Sequence, residues 1–293
     1  MADRQAFVIG DPIGHSKSPL IHGHWLEKHQ LPGSYVATHV APDALDEFLA
    51  ELAGDPSRPG GNVTVPHKEA VFRWLSGRPE HSSLTDNARR LGAVNTLYRQ
   101  GAQLIGDNTD GYGFLANLDA ADPSWADDLS WVVVVGAGGA SRAVVAALAD
   151  RAGPGGHIHI ANRTVGRATR LIEDLKLTNA TAYGLTDLAD LAAQASVMVN
   201  TSSLGMAGAD GPSDLEQAAA RLAPTAFATD IVYTPLMTPF LRAAQSAGAR
   251  TVDGLGMLLH QAVPGFEAWF GVRPEVAPDV RNLVLRAMGL QEV

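Results

Sequence analysis

The chain has 293 residues, 46% hydrophobic and 18% charged, a globular composition with length for about two domains. Its formal charge of −9, from 22 basic and 31 acidic residues, argues against nucleic acid or an anionic membrane as partner, since both select basic surfaces. Cysteine is absent, which excludes a disulfide framework, a thiolate metal site and a cysteine nucleophile, and fits a reducing cytoplasm. Met1 leads almost directly into the apolar Ala6–Gly10, without a secretory signal pattern. The longest apolar run, near Trp131–Val135, falls far short of the ~20 residues that span a bilayer. A soluble cytoplasmic protein is expected.

Short β-branched runs alternate with helical stretches, the pattern of an α/β fold with mainly parallel strands. Ala6–Gly10 reads as a strand and Pro19–His29 as a helix, with Ser18 as N-cap and Pro19 at the first helical position. A strand at Tyr35–Val40, a helix at Asp43–Leu52 and a Pro/Gly-rich loop (Gly54 to Gly61) precede a strand at Asn62–Val65. After another helix, Val94–Tyr98 and Gln103–Gly106 form a hairpin closed by Arg99–Ala102. Asp119–Ser130 reads as a polar connector, and Trp131–Val135 as a strand buried on both faces. Then follow helix Ala140–Arg151, strand His157–Ala161, helix Gly166–Leu175, strands Val197–Asn200 and Ala228–Val232, helix Pro239–Ala247 and a short strand near Thr251. Leu255–Phe270 and Ala277–Met288 read as the closing helices.

The strand at Trp131–Val135 runs straight into Gly136-Ala-Gly138-Gly139-Ala140-Ser141 and an alanine-rich helix. That strand–glycine turn–helix context marks a dinucleotide site. Gly136 permits the tight turn, and Gly138 lets the backbone approach a pyrophosphate seated on the helix N-terminus. Ser141 takes the third glycine's place and is small enough to keep the packing close. The blander alternative is a glycine turn without a ligand. The next strand ends in Asn162-Arg163-Thr164, with Arg167 one turn on, where NAD-binding units usually place a carboxylate. A guanidinium pairs with a 2′-phosphate in a bidentate fork, so NADP is preferred over NAD. Against this stands a merely solvated basic helix face, which Arg170 continues.

Three polar clusters follow candidate strands, where open α/β sheets hold ligands. They are His15–Pro19, Asn62–Lys68 and Gly106–Gly111. In extended backbone, Ser16 and Ser18 face the same way, as do Asn62 and Thr64, with Val63 and Val65 facing the core. Two such rails suit a small molecule carrying hydroxyls and a carboxylate; cap or solvent-face roles weigh equally for each cluster alone. Lys68 and Asp110 are the candidates for proton transfer, since hydride reduction of a ketone needs a proton delivered to oxygen.

With these segments in order, the sequence resembles the shikimate dehydrogenase family. Ser16–Pro19, Asn62–Lys68, Gly92–Thr96, Gly106–Gly111, Gly136–Ser141, Asn162–Thr164 and Asp253–Met257 carry the resemblance, which spans Phe7 to about Gly271. It implies that Ser16 and Ser18 hold the substrate carboxylate, that Asn62, Thr64, Asn95, Thr109 and Gln261 bind hydroxyls or position neighbours, and that Lys68 and Asp110 form the catalytic pair. It further implies Gly136, Gly138, Gly139, Ala140 and Ser141 at the pyrophosphate, and Asn162, Arg163, Thr164 and Arg167 at the 2′-phosphate. Thr201, Ser202, Ile231, Tyr233, Gly254 and Met257 would lie towards the nicotinamide, with Tyr233 also reaching substrate. The implied architecture is a substrate domain, 1–110 completed by C-terminal helices 254–293, and a Rossmann-type NADP domain, 111–253, with the active site in the cleft between them. Gly111, Gly113, Gly254 and Gly256 fall at the crossings, which suits a hinge.

Two departures stand out. The stretch from Arg73 towards Arg90 is longer than in many relatives, so no contacts are carried over from it. Ile231 stands where some relatives have methionine. The rival within enzymes is a quinate/shikimate dehydrogenase of broader specificity, against which Ser18, Arg163 and Arg167 argue; an aminoshikimate enzyme is a more distant one. A non-catalytic NADP- or shikimate-binding sensor is disfavoured by the presence of both Lys68 and Asp110. No metal is expected: His22 and His24 do not share a helix face, and His157 and His159 share a strand face without a carboxylate nearby. A monomer and a homodimer both remain open.

Overall fold

In the computed structural model, which describes residues 4–202, 204 and 213–290, the chain builds two six-stranded sheets. They belong to two compact units, Met1–Thr109 with Leu259–Val293, and Asp110–Leu258.

The first unit runs β1 (Arg4–Gly10), α1 (Ser18–Lys28), β2 (Gly33–His39), α2 (Leu45–Gly54), β3 (Gly60–Val63), α3 (Lys68–Ser76), β4 (Ser82–Leu84), α4 (Asp86–Leu91), β5 (Thr96–Gln100) and β6 (Gln103–Asp107). Its sheet has the order β2-β1-β3-β5-β6-β4, parallel except that β5 runs against both neighbours. The second unit runs α5 (Asp110–Ala121), β7 (Trp131–Val135), α6 (Gly139–Ala152), β8 (His157–Ala161), α7 (Val165–Leu175), β9 (Ala180–Tyr183), α8 (Leu188–Ala192), β10 (Val197–Asn200), α9 (Asp214–Ala219), β11 (Phe227–Asp230), α10 (Pro239–Ser246) and β12 (Arg250–Val252). Its sheet, β12-β11-β10-β7-β8-β9, is parallel throughout. Helix α11 (Leu255–His260) spans the second crossing, and α12 (Val263–Phe270) and α13 (Pro278–Ala287) complete the first unit.

The all-valine stretch Val132–Val135 is buried along its whole length, as a central strand covered on both faces must be. In the first unit, α1 and α12 pack an aromatic cluster of His22, Trp25, Phe266 and Trp269 beside Tyr35. Trp269 Nε1 donates to the Leu97 carbonyl at 2.8 Å, which ties this late helix to β5. Each such aromatic removed from water is worth roughly 2–3 kcal/mol.

Several expectations change. Ser18 is not the cap of α1: the Lys17 carbonyl already accepts the helical bond from Ile21 N–H, so Ser18 is the first helical residue. Ser16 does part of the capping, its hydroxyl accepting the Ser18 N–H at 3.3 Å. The two serines therefore do not share an extended rail. Val65 does not face the core but is 70% exposed, because β3 ends at Val63 and the chain turns, His67 N–H bonding back to Thr64. The helix read over Leu255–Phe270 is two helices broken at Gln261–Ala262, since Pro264 has no N–H to give the His260 carbonyl. The connector after Asp119 begins as the end of α5 and anchors through Trp125, buried with its Nε1 on Asp119 at 2.7 Å.

The second crossing was expected at Gly254. Residues 254–258 stay with the second unit because Gly254 lies against the Asp230 and Ile231 carbonyls, and Gly256 against the Asn117 side chain, where no Cβ would fit.

Candidate active site

In the first unit the ends of β3, β5 and β6 and the turn after α11 gather a buried polar chain. Tyr35, from β2, starts it: its hydroxyl reaches Asn62 Oδ1 at 2.6 Å. Asn62 Nδ2 faces the Asn95 carbonyl and Thr96 Oγ1, both at 3.2 Å. A carbonyl can only accept, so the amide must point that way and Tyr35 must donate. Burial holds the Tyr35 phenol well above its usual pKa, with Asn62 and Ser18 opposing, which keeps the proton available. Thr96 then donates to Asn95 Oδ1 at 2.8 Å, and the same oxygen takes the Thr109 N–H at 2.8 Å. The Asn95 amide nitrogen is thereby turned towards Thr109 Oγ1 and Gln261 Oε1. Thr109 closes the chain on the Gln261 carbonyl at 2.8 Å, a carbonyl free to accept because the helix breaks there.

Asn62, Asn95, Thr96 and Thr109 are all buried, whereas Ser16, Thr64 and Gln261 are half-buried. Thr64 continues the β1 pairing, its N–H on the Ile9 carbonyl at 2.9 Å. Lys68 opens α3, half-buried, and its carbonyl accepts Val94 N–H at 2.9 Å, setting it beside the segment that carries Asn95. Asp110, half-buried at the first position of α5, directly follows Thr109 in the chain but belongs to the second unit.

In the second unit, β7 and β10 are neighbours although far apart in sequence, so their carboxyl ends form the crevice where such sheets bind ligands. Gly136 sits there at φ +112°, and a Cβ would lie 2.8 Å from Thr201 Oγ1, so only glycine suits the turn. Gly138, Gly139 and Ala140 are exposed, and nothing stands within 4 Å of where a Cβ on either glycine would be. Ser141 is wholly buried: its hydroxyl accepts the Gly138 N–H at 3.0 Å and meets Thr201 Oγ1 at 2.6 Å. It therefore braces the turn from inside, and what faces outward is main chain. Thr201 in turn donates to the Val135 carbonyl at 2.8 Å.

A cavity of about 190 Å³ lies beside this turn, lined in part by Gly136, Asn162, Arg163, Thr164, Arg167 and Ser202. Asn162 Nδ2 donates to the Thr164 carbonyl at 2.8 Å, shaping the loop, while Arg163 and Arg167 are exposed and form no ion pair among the described residues. An exposed glycine turn beside two uncommitted guanidiniums fits a dinucleotide bearing an extra phosphate. Ile231, Tyr233 and Met257 are half-buried, Gly254 buried, and burial raises the Tyr233 phenol pKa.

Four residues that shape these sites drew no role from sequence: Tyr35, Thr96, Asn200 and Asp230. Tyr35 was open to inference as a strand tyrosine on a buried position, whose hydroxyl needs a partner. Asn200 and Asp230 both end parallel strands, the position that favours site residues.

Comparison with known proteins agrees over nearly the whole chain. Residues 8–97 match the shikimate dehydrogenase substrate binding domain, 126–255 the shikimate/quinate 5-dehydrogenase domain and 254–281 the shikimate 5′-dehydrogenase C-terminal domain. A shikimate dehydrogenase (NADP(+)) of Mesorhizobium japonicum is 50% identical over 284 residues, covering 97% of this chain and 96% of its own. One from Brucella melitensis is 49% identical over 289 residues, covering 97% and 95%. Among solved structures, shikimate 5-dehydrogenase from Thermus thermophilus, in complex with NADP(H) and shikimate, is 33% identical with a TM-score of 0.76, covering 97% of this chain and 99% of its own. The Listeria monocytogenes enzyme, in complex with shikimate and NAD, is 27% identical with a TM-score of 0.83, covering 96% of each chain. With three domain models in order and half the residues identical to curated members, this chain belongs to the shikimate dehydrogenase family.

Proposed function

We propose that the protein catalyses the reversible, NADPH-dependent reduction of the C3 ketone of 3-dehydroshikimate to shikimate. The observation that carries this reading is the pairing, in one chain, of an oriented polar chain around Asn95 with a glycine turn flanked by Arg163 and Arg167. The Ser16 and Ser18 hydroxyls donate to the substrate carboxylate, and Asn62, Thr64, Asn95, Thr109 and Gln261 bind or orient its hydroxyls, with Tyr233 alongside. The Lys68 ammonium gives a proton to the ketone oxygen as negative charge develops there, the Asp110 carboxylate orients it, and the neutral amine left behind regains a proton from solvent. Bound NADPH supplies the hydride. Main-chain N–H groups of Gly136–Ser141 take its pyrophosphate, Asn162, Arg163, Thr164 and Arg167 its 2′-phosphate, and Thr201, Ser202, Ile231, Gly254 and Met257 flank the nicotinamide.

In this reading, the first unit, 1–109 with 259–293, binds substrate and the second, 110–258, binds NADP and contributes Asp110. No helix among the described residues is long and apolar enough to cross a membrane, and we assign the protein to the cytoplasm as a monomer or homodimer. Absorbance of reduced nicotinamide, with shikimate or quinate against NADP or NAD, tests the assignment. Fast turnover with shikimate and NADP alone is expected. Comparable rates with quinate or NAD would make it a broader dehydrogenase, and no turnover in any combination would overturn the enzyme reading.

A further inference from the structure

Behind the cofactor cavity, two buried side chains tie together loops that the sequence separates by thirty positions (Asn200 and Asp230). Asn200 ends β10 and is fully buried. Its Oδ1 accepts both the Ser202 N–H at 3.0 Å and the Ser202 hydroxyl at 2.7 Å. Its Nδ2 donates to the Leu204 carbonyl at 3.2 Å and to Asp230 Oδ1 at 3.0 Å. Asp230 ends β11, is 1% exposed, and stands opposite Asn200 in the parallel register. The same Oδ1 takes the Val232 N–H at 2.9 Å, while Oδ2 takes the Thr238 hydroxyl at 2.8 Å. Thr238 in turn caps α10 through the Leu241 N–H at 3.3 Å.

The arrangement admits one orientation. The Ser202 N–H can only donate and the Leu204 carbonyl can only accept, so the Asn200 amide cannot flip. Asp230, placed opposite its NH₂, completes a network in which every side-chain polar atom of the pair is satisfied. Its charge is met by neutral donors alone, and burial, opposed by Val232, Thr238 and Asn200, raises its pKa. Ser202 and Leu204 line the cavity, whereas Ile231 and Tyr233 flank Val232 in the other loop. Main-chain pairing between the strands ends with Ile231 N–H on the Asn200 carbonyl. Beyond that point these side chains carry the connection.

We propose that Asn200 and Asp230 act as one positioning pair for NADP(H), holding Ser202 and Leu204 in register with the Ile231–Tyr233 segment. Neither residue needs to touch the cofactor; both act through the loops they fix. The inference rests on NADP occupying the cavity beside the glycine turn, and titration of the wild-type protein with NADPH, followed by its fluorescence, tests that separately.

The pair is tested with Asn200→Asp and Asp230→Asn. Asn200→Asp sets a second carboxylate against Asp230 and the Leu204 carbonyl. It is expected to weaken NADPH binding at least tenfold while KM for shikimate, at saturating NADP, stays within about twofold. Asp230→Asn keeps shape and removes charge, so it serves if Asn200→Asp does not fold. In it, amide hydrogen exchange at Val232 and at Ser202, on the other loop, is expected to quicken together. Wild-type NADPH affinity in folded Asn200→Asp, an equal rise in shikimate KM, or Ser202 exchange unmoved in Asp230→Asn would each overturn the pairing.

Discussion

On the proposed function, the two units recognise small molecules by opposite means. In the first, the polar residues are buried and spend most of their hydrogen bonds on one another, from Tyr35 through Asn62, Thr96 and Asn95 to Thr109. In the second, the glycine turn and the arginines stand open, with Ser141 and Thr201 bracing the turn from within. A ligand with several hydroxyls must be met by donors and acceptors of fixed direction, and a buried network fixes direction. A phosphate needs main-chain N–H groups, space and positive charge, which survive exposure. The first unit should therefore fail through misdirected or unsupported side chains, and the second through lost charge or lost space.

The largest effect is expected at Lys68. Lys68→Ala should lower kcat by about 10³, within the usual range for a proton donor, while NADPH affinity stays unchanged because the second unit is untouched. Steady-state kinetics beside NADPH fluorescence titration would show this; a folded variant with near-normal kcat would remove Lys68 from the chemistry.

Burial in the first unit also makes it sensitive to acid. His22 is stacked on Tyr35 at 4.0 Å and its pKa is lowered to about 3, chiefly by burial, with Asn62 acting the other way. The unfolded chain takes up a proton below about 6.5 and the folded one does not, so stability is full above that pH and falls as pH drops towards 3. By pH 5 the loss is about 2 kcal/mol. Urea unfolding at pH 7.5 and pH 5 should show wild type losing more stability than His22→Phe, which keeps the stack without a titrating ring. Equal losses would mean that His22 is protonated in the fold. In the second unit His159, lowered to about 4 by burial and by His157, acts in the same direction, so the comparison must be made against the variant.

This contrast also governs what sequence could convey. The cofactor turn and its arginines lie in two contiguous stretches, 136–141 and 162–167, each directly after a strand, the first of unbroken apolar character, so they were legible. On the substrate side the individual polar residues could be named, but not the bonds that aim them. Strand periodicity does not distinguish the buried phenol of Tyr35 from an ordinary core aromatic, nor does it announce that Thr96 orients Asn95. The three-residue β4, four-residue β9, six-residue α4, five-residue α8 and six-residue α9 passed unread because so few residues hold no full period. Leu255–Phe270 read as one helix because the apolar pattern continues across the break that Pro264 imposes.

In the second unit the corresponding loss is one of charge. Arg163→Gln should raise KM for NADP about tenfold and leave KM for NAD nearly unchanged, since only NADP carries the 2′-phosphate. Because the guanidinium is exposed, the gap between variant and wild type should shrink as salt rises. A salt-independent effect on both cofactors would show that Arg163 shapes the loop instead of reading the phosphate.

The smallest effect belongs to the one place where the first unit relies on exposed charge. Asp279, at the first turn of α13, meets Lys28 at 2.6 Å and His24 at 3.3 Å, and its pKa is lowered to about 2. The Lys28 bond is the main cause, burial works against it, and the Val280 N–H and His24 assist. A depressed carboxylate contributes stability above about pH 4 and loses it as pH falls through 2, so this pair is silent over the pH range where His22 acts. Lys28 and Asp279 are 38% and 43% exposed, so solvent screening leaves only a few tenths of a kcal/mol for Asp279→Asn at pH 7, fading in high salt. The apolar face of α13, with Val280, Val284 and Leu285 fully buried, should hold the helix regardless. A loss above about 1 kcal/mol in urea unfolding would reverse that ranking and make the ion pair, not the apolar face, the anchor of the returning C-terminal segment.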